Sequence, residues 1–391
     1  MAAALGAEGF SLTNCGPVDR ALARLGLKSR EPPQLFIRAF VPAVVVWVPL
    51  LALALLRPHD GAEAAVSFIE DLSTHVRFLV VVPLLVIAEA AIGRRTAIVV
   101  AQFVNAELIT GADRGRFNAL VRGAGRALQS NVAELLIVVV AALSVVAAFR
   151  TLMADGVTFW FEQPVVADHA RLTVAGWWYA LWSWLPLFLF LRWFWRYLVW
   201  CWLLQRLSRF DLQIVATHPD RTAGLAFVDL GHTAFASVGL ALSCLVAGAV
   251  GTRVLHEGIA LTTFQWPLAV LVALMIVGGI APLAVFWRPL RVAKEAGVLN
   301  YGSFSSRYVQ GFQRRWIGTK AAEQPREAND DIGPLADIGA TFERVDAMRL
   351  VPITLKSVLA FALAALAPLL PLLLLVIPLR DLLKLLMQSM F

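Results

Sequence analysis

The sequence predicts an all-α fold, a polytopic membrane helical bundle of about seven transmembrane helices with a small helical cytoplasmic layer. Of 391 residues, 59% are hydrophobic and only 16% charged, against roughly 25% charged in an ordinary soluble protein. The mean hydropathy is +0.72, and a soluble domain cannot hide helices that are apolar on every side. The apolar residues also fall in seven blocks, and the basic residues concentrate in alternate connections between them. Lipid is therefore part of the solvent, and membrane lipid is the first partner the sequence implies.

Stretches long enough, or nearly long enough, to cross a hydrocarbon core of roughly 30 Å lie at about 35–56, 76–93, 132–149, 173–203, 231–254, 266–287 and 354–379. The second and third are short as purely apolar runs, and both continue into amphipathic sequence on one side. Lys and Arg set the direction, because they stay on the cytoplasmic side during insertion. The N-terminal tail and the 93–131, 204–230 and 288–353 connections hold most of them, including Arg94, Arg95, Arg114, Arg116, Arg122, Arg126, Arg206, Arg209, Arg314 and Arg315. The expected organisation is a cytoplasmic tail at 1–34, six helices within 35–287 with a cytoplasmic hairpin at 93–131, a cytoplasmic helical connection at 288–353, and a seventh helix with a short extracytoplasmic tail at 354–391. The first thirty residues carry Arg20, Arg24, Lys28 and Arg30 with no apolar segment before them, which is not the pattern of a secretory signal peptide. The expected location is a bacterial inner membrane.

In the fourth span Trp177, Trp178, Trp182 and Trp184 precede an apolar run, and Trp193, Trp195, Trp200 and Trp202 come after it. The two groups are centred about 17 residues apart, roughly 25 Å at helical rise, which suits the two interfaces where Trp prefers to sit. Arg192 and Arg196 then fall near the inner interface, where they either snorkel or form a buried anion-binding pair. In the fifth span Gly239, Ser243, Ala247 and Gly251 recur at every fourth position. That makes a packing seam, with a pore-lining face as the alternative. Pro42, Pro49, Pro83, Pro186, Pro282, Pro368 and Pro371 each remove a backbone donor, so kinks are expected.

The 93–131 connection reads as a helical hairpin, with Ile98, Phe103 and Leu108 on one arm, Phe117, Leu120, Val121 and Leu128 on the other, and a turn near Thr110-Gly111-Ala112-Asp113. In 301–316, Tyr301, Phe304, Tyr308, Phe312 and Trp316 form one aromatic stripe, for a helix that lies on the leaflet or docks on its neighbours. Past a polar stretch at 320–330, Asp331 is placed to cap a helix with Pro334 near its start, ending before Pro352. His218-Pro219-Asp220-Arg221, the Asp71, His75 and Arg77 cluster leading to Pro83-Leu84-Leu85 and Glu89, and the tract from Leu335-Ala336-Asp337 through Met348-Arg349-Leu350-Val351-Pro352 resemble a bacterial family of multi-pass inner-membrane proteins with no assigned activity. The likeness spans most of the chain. It implies location and no activity.

Ionisable groups inside apolar spans are costly and mark functional sites by default. Here they are Glu89, Glu134, Arg192, Arg196, Asp229 and His232, all in the inner third of their helices under this topology. Asp229 and His232, three apart, share a helical face. Converging, the six would make a polar vestibule for an ion or a proton. Alternatively, Glu89 pairs with a nearby Arg, Glu134 marks a helix start and the arginines snorkel. On the other side His59 with Asp60, Asp71 with His75, Asp168 with His169 and His256 with Glu257 pair imidazole with carboxylate. They lie on different loops and read as solvated residues. His218-Pro219-Asp220 is also the signature of J-domain co-chaperones, but between membrane spans it reads as a turn, with Pro219 stopping the fourth helix and Asp220 capping the segment after it.

Cys15, Cys201 and Cys244 suggest neither a disulfide framework nor a zinc site. No Walker loop, dinucleotide glycine pattern, GxSxG elbow or haem motif is present, so no cofactor or metal is expected. The formal charge of +7 is not a nucleic-acid stripe with interleaved aromatics. What remains is a transporter or channel-like protein for a small solute or ion, or a non-enzymatic scaffold with a protein partner or a second copy of itself. An enzyme has the least support, because no nucleophile, base and orienting group can be assembled.

Overall fold

A computed structural model describes residues 10–13, 32–55, 68–154, 162–163, 171–316 and 329–376. Cys15, His59, Asp60, Asp168, His169 and the tail from 377 lie outside the described residues, as does most of the N-terminal tail. The described chain is helical apart from its connections and a two-residue antiparallel ladder, Glu162–Gln163 with Arg171–Leu172. Among the described residues, seven helices are long and apolar enough to cross a membrane: Gln34–Leu55, Leu72–Asn105, Arg114–Arg150, Val174–Leu207, Phe227–His256, Leu261–Arg314 and Leu355–Leu374.

Several prolines set the irregularities. A proline at position i cannot donate to the carbonyl of i−4, so the helix overwinds or underwinds there. A π-helical segment, Val76–Val81, precedes Pro83. The fourth span breaks at Ser183, upstream of Pro186. Pro282 and Pro368 each take the second position of a 3-10 turn, Ala281–Phe286 and Ala367–Leu369. By contrast, the helix Pro32–Leu55 runs through both Pro42 and Pro49.

The spans are unequal in burial. Half of the most apolar window of the fifth span is buried by protein, against 6% of that in the third, so the fifth is central and the third faces lipid. Small residues allow this. Gly239 lies against Met275, and Ser243 donates to the Ala365 carbonyl of the seventh span, so the small-residue row is a packing seam. Gly231 and Gly279 are required for close approach, because a Cβ there would fall 2.8 Å from Val99 and 2.5 Å from Phe361.

The basic connections meet at one end. Gln213 N–H donates to the Leu108 carbonyl at 2.9 Å, Arg349 N–H to Arg221 at 2.7 Å, and Lys294 Nζ to Asp346 and Met348 at 2.6 and 3.0 Å. The helix Val82–Asn105 carries on from the second span to the turn at 110–113, and Arg114–Leu128 follows that turn, with Phe103, Phe117, Val121 and Leu128 buried and Ile98 turned outward. The aromatic stripe at 301–316 is not a separate surface helix. It belongs to Trp287–Trp316, which continues the sixth span and packs against Asn329–Asp346, where Gly302 faces Phe342. That second helix begins two residues before Asp331 and encloses Pro334.

At the opposite end Ser73 N–H donates to Thr252 Oγ1 at 2.9 Å, and His256 Nε2 lies 3.1 Å from the Glu70 carbonyl, which ties the second span to the fifth.

Candidate functional site

Arg192 and Arg196 are one turn apart on the fourth span and therefore share a face. That face meets the second span, because Trp193 Nε1 donates to the Leu85 carbonyl at 3.0 Å. Glu89, one turn beyond Leu85, receives both guanidinium groups on Oε1, from Arg192 Nη1 at 3.3 Å and Arg196 Nη1 at 2.7 Å. Arg38 Nη2 of the first span reaches Oε2 at 3.1 Å. Glu134, at the start of the third span's apolar helix, lies 3.7 Å from Arg192 Nε. Arg196 also donates to the Thr13 carbonyl at 2.9 Å and stacks on Trp193. Beside this cluster is a cavity of about 20 Å³ lined by Leu12, Ser130, Glu134, Arg192, Trp195 and Arg196, enough for one water-sized occupant.

The arginines do not snorkel. Arg192 is 7% and Arg196 4% exposed, because Glu89 neutralises them in place. The inner tryptophans are only partly an outward-facing group. Trp193 and Trp200 are buried and Trp195 donates to the Ala127 carbonyl, while Trp202 is exposed.

Asp229 and His232 form a second group, separated from the first by the fourth span. Asp229 Oδ2 accepts from Thr354 N–H at 3.2 Å, Thr354 Oγ1 at 2.9 Å and Ser357 Oγ, and Oδ1 accepts from Thr233 Oγ1 at 3.2 Å. A carboxylate thus sits at the N-terminus of the seventh span, where the helix dipole favours it. His232 is fully buried among Tyr197, Phe235 and Phe361, and neither ring nitrogen has a hydrogen-bond partner among the described residues. The Gly278 carbonyl nearby is denied its helical donor by Pro282, and the Tyr197 hydroxyl takes it at 2.5 Å.

The six sequence candidates therefore divide, with Glu89, Glu134, Arg192 and Arg196 together and Asp229 with His232 apart. Arg38 was missed, although an arginine within the first apolar run is itself the signal. Thr354 and Ser357 gave none, since hydroxyls are ordinary at a helix start.

Outside the spans, Asp220 Oδ1 accepts the N–H groups of Thr222 at 2.8 Å and Gly224 at 3.1 Å, and Oδ2 accepts that of Ala226 at 3.0 Å. His218 Nδ1 lies 2.9 Å from Oδ1. Burial alone would raise the Asp220 carboxyl, but these donors outweigh it and hold it at about 2. The loop turns through left-handed φ at Arg221 (58°), Ala223 (54°) and Gly224 (92°), and Arg349 Nη2 pins the Asp220 carbonyl. Asp220 folds the loop after it but does not cap a helix, since the helix Phe227–Thr233 starts from Ala226 with no side-chain cap. Pro219 does not stop the fourth helix, which ends earlier, at Leu207. With its carboxylate engaged inside its own loop, Asp220 is not presented as in a J-domain.

The residues expected to be solvated at the opposite end are not all loose. Asp71 is buried and caps the second span through Thr74 N–H at 3.1 Å, while Trp47 Nε1 donates to His75 Nδ1 at 2.9 Å. No group of three metal-ligating side chains occurs among the described residues, and Cys201 and Cys244 are free thiols. In comparisons with protein-family models, curated proteins and solved structures, the chain matches none of them.

Proposed function

We propose that the chain is a transporter or channel-like protein for a small solute or ion in a bacterial inner membrane, with its N-terminus and basic end cytoplasmic and its C-terminus extracytoplasmic. The observation that carries the reading is the buried cluster of Arg38, Arg192, Arg196, Glu89 and Glu134 beside a small cavity that Glu134, Arg192 and Arg196 line together with apolar side chains. A buried ion pair is weak evidence for stability, and charge within a span is a functional marker by default. The orientation rests on the Lys and Arg distribution, and a reporter fused near residue 120 or 320 that reads periplasmic overturns it. The resemblance of the His218-Pro219-Asp220-Arg221, Asp71 to Glu89 and Leu335 to Pro352 tracts to a bacterial inner-membrane family fits the same location.

Flux of chloride, phosphate, acetate and protons into dye-loaded proteoliposomes tests the activity. At least one probe should exceed empty vesicles, and most of that excess should be lost in Arg192→Lys, which keeps charge but not the planar fork. No excess for any probe overturns transport.

One feature favours a scaffold as the second reading. Val292 and Leu299 on the helix Trp287–Trp316 are 66% and 70% exposed, on the face away from Asn329–Asp346. Cross-linking in native membranes through this face then recovers a defined protein or a second copy.

A further inference from the structure

His75 opens the second span, and both of its ring nitrogens are engaged. Trp47 Nε1 of the first span lies 2.9 Å from Nδ1, and the Ile69 carbonyl lies 3.1 Å from Nε2. An indole nitrogen only donates and a carbonyl only accepts. The ring is therefore neutral, with its proton on Nε2 and its lone pair on Nδ1 turned to Trp47. Phe68 packs edge-on at 5.0 Å and Trp47 at 5.8 Å.

We infer that His75 is a pH-sensitive clasp that joins the first span to the second only while its imidazole is uncharged. A proton from water taken up on Nδ1 leaves two N–H donors facing each other where one bond had been, and the Trp47 bond is lost. The Nε2 bond to Ile69 survives, so the turn stays on the second span and only the Trp47 contact of the first span is released.

Among the described residues, the charged and titratable groups around the ring come from three elements. Asp71, one turn back, is engaged with Thr74, and Glu70 offers its carbonyl to His256 of the fifth span, whose last turn also carries Arg253 and leads into Glu257. Arg77 donates to the Tyr179 hydroxyl of the fourth span at 2.6 Å. Release is local, because Trp178 Nε1 still holds the Val46 carbonyl at 3.1 Å and Arg38 still holds Glu89.

The clasp is independent of transport. Its test is the indole N–H spectrum of the full chain in lipid nanodiscs, recorded from about pH 7.5 to about pH 5, the range in which imidazole changes charge. The Trp47 signal, among thirteen tryptophans, is the one missing from Trp47→Phe. In the wild type it should leave its hydrogen-bonded position as the pH falls. In His75→Gln, where an amide oxygen replaces the lone pair and does not titrate, it should stay. A Trp47 signal that is unmoved in the wild type, or that moves equally in His75→Gln, overturns the clasp.

Discussion

Around Glu89 three guanidinium groups from two other spans converge on one carboxylate, whereas around Asp229 the partners are hydroxyls and a single amide. Both acids lie within the membrane-spanning helices, yet one is balanced by full charges and the other by dipoles at a helix start. The difference teaches what each side chain holds. Glu89 keeps several cations tolerable in a low-dielectric interior, so its removal leaves buried charge behind. Asp229 closes the end of one helix, and its removal leaves a few small donors wanting.

A large gap between the two is therefore expected. Glu89→Ala should cost about 3–5 kcal/mol, the range for breaking a buried pair from one side, read as unfolding in mixed micelles. A loss below about 1 kcal/mol would mean that the arginines are balanced elsewhere. Asp229→Asn keeps an acceptor for the same donors, and its cost should be about 1 kcal/mol, the net worth of an ordinary hydrogen bond. Equal losses from the two substitutions would erase the distinction.

Asp220 sharpens it from outside the spans, as an acid held by three amides and a histidine. Its carboxyl is depressed from 3.8 to about 2. A carboxyl lowered in the folded state stabilises fully above its unfolded value and loses that contribution as pH falls through the folded one. The amide signals of Thr222, Gly224 and Ala226 should therefore stay constant at neutral pH and change only between about pH 4 and pH 2. In Asp220→Asn that acid step should vanish.

The seven spans were legible because the bilayer imposes a length on every apolar run, and the break at Pro282 because proline removes a named donor. The cost of the intramembrane charges was legible too, and four of the six candidates do meet. Their partners were not. The pairing of Glu89 with Arg38 crosses 51 positions and that of Asp229 with Thr354 crosses 125, and no local periodicity encodes helix neighbours at that separation. The distance of Arg192 and Arg196 from the Trp residues suggests a place near the interface, but that spacing does not show the counter-ion on another helix that buries them within the protein. The same applies to His75, which reads as a loop residue until Trp47 is brought across.

The 3-10 segment Ala281–Phe286 has a mechanical consequence. From Trp287 to Trp316 the chain is one unbroken helix, roughly 45 Å long at helical rise. Its length converts any change of angle at the Pro282 break into a displacement at its far end. A tilt of about 10° at that point would sweep the far tip through about 8 Å over this length, and the packing of this helix on Asn329–Asp346 is what opposes it.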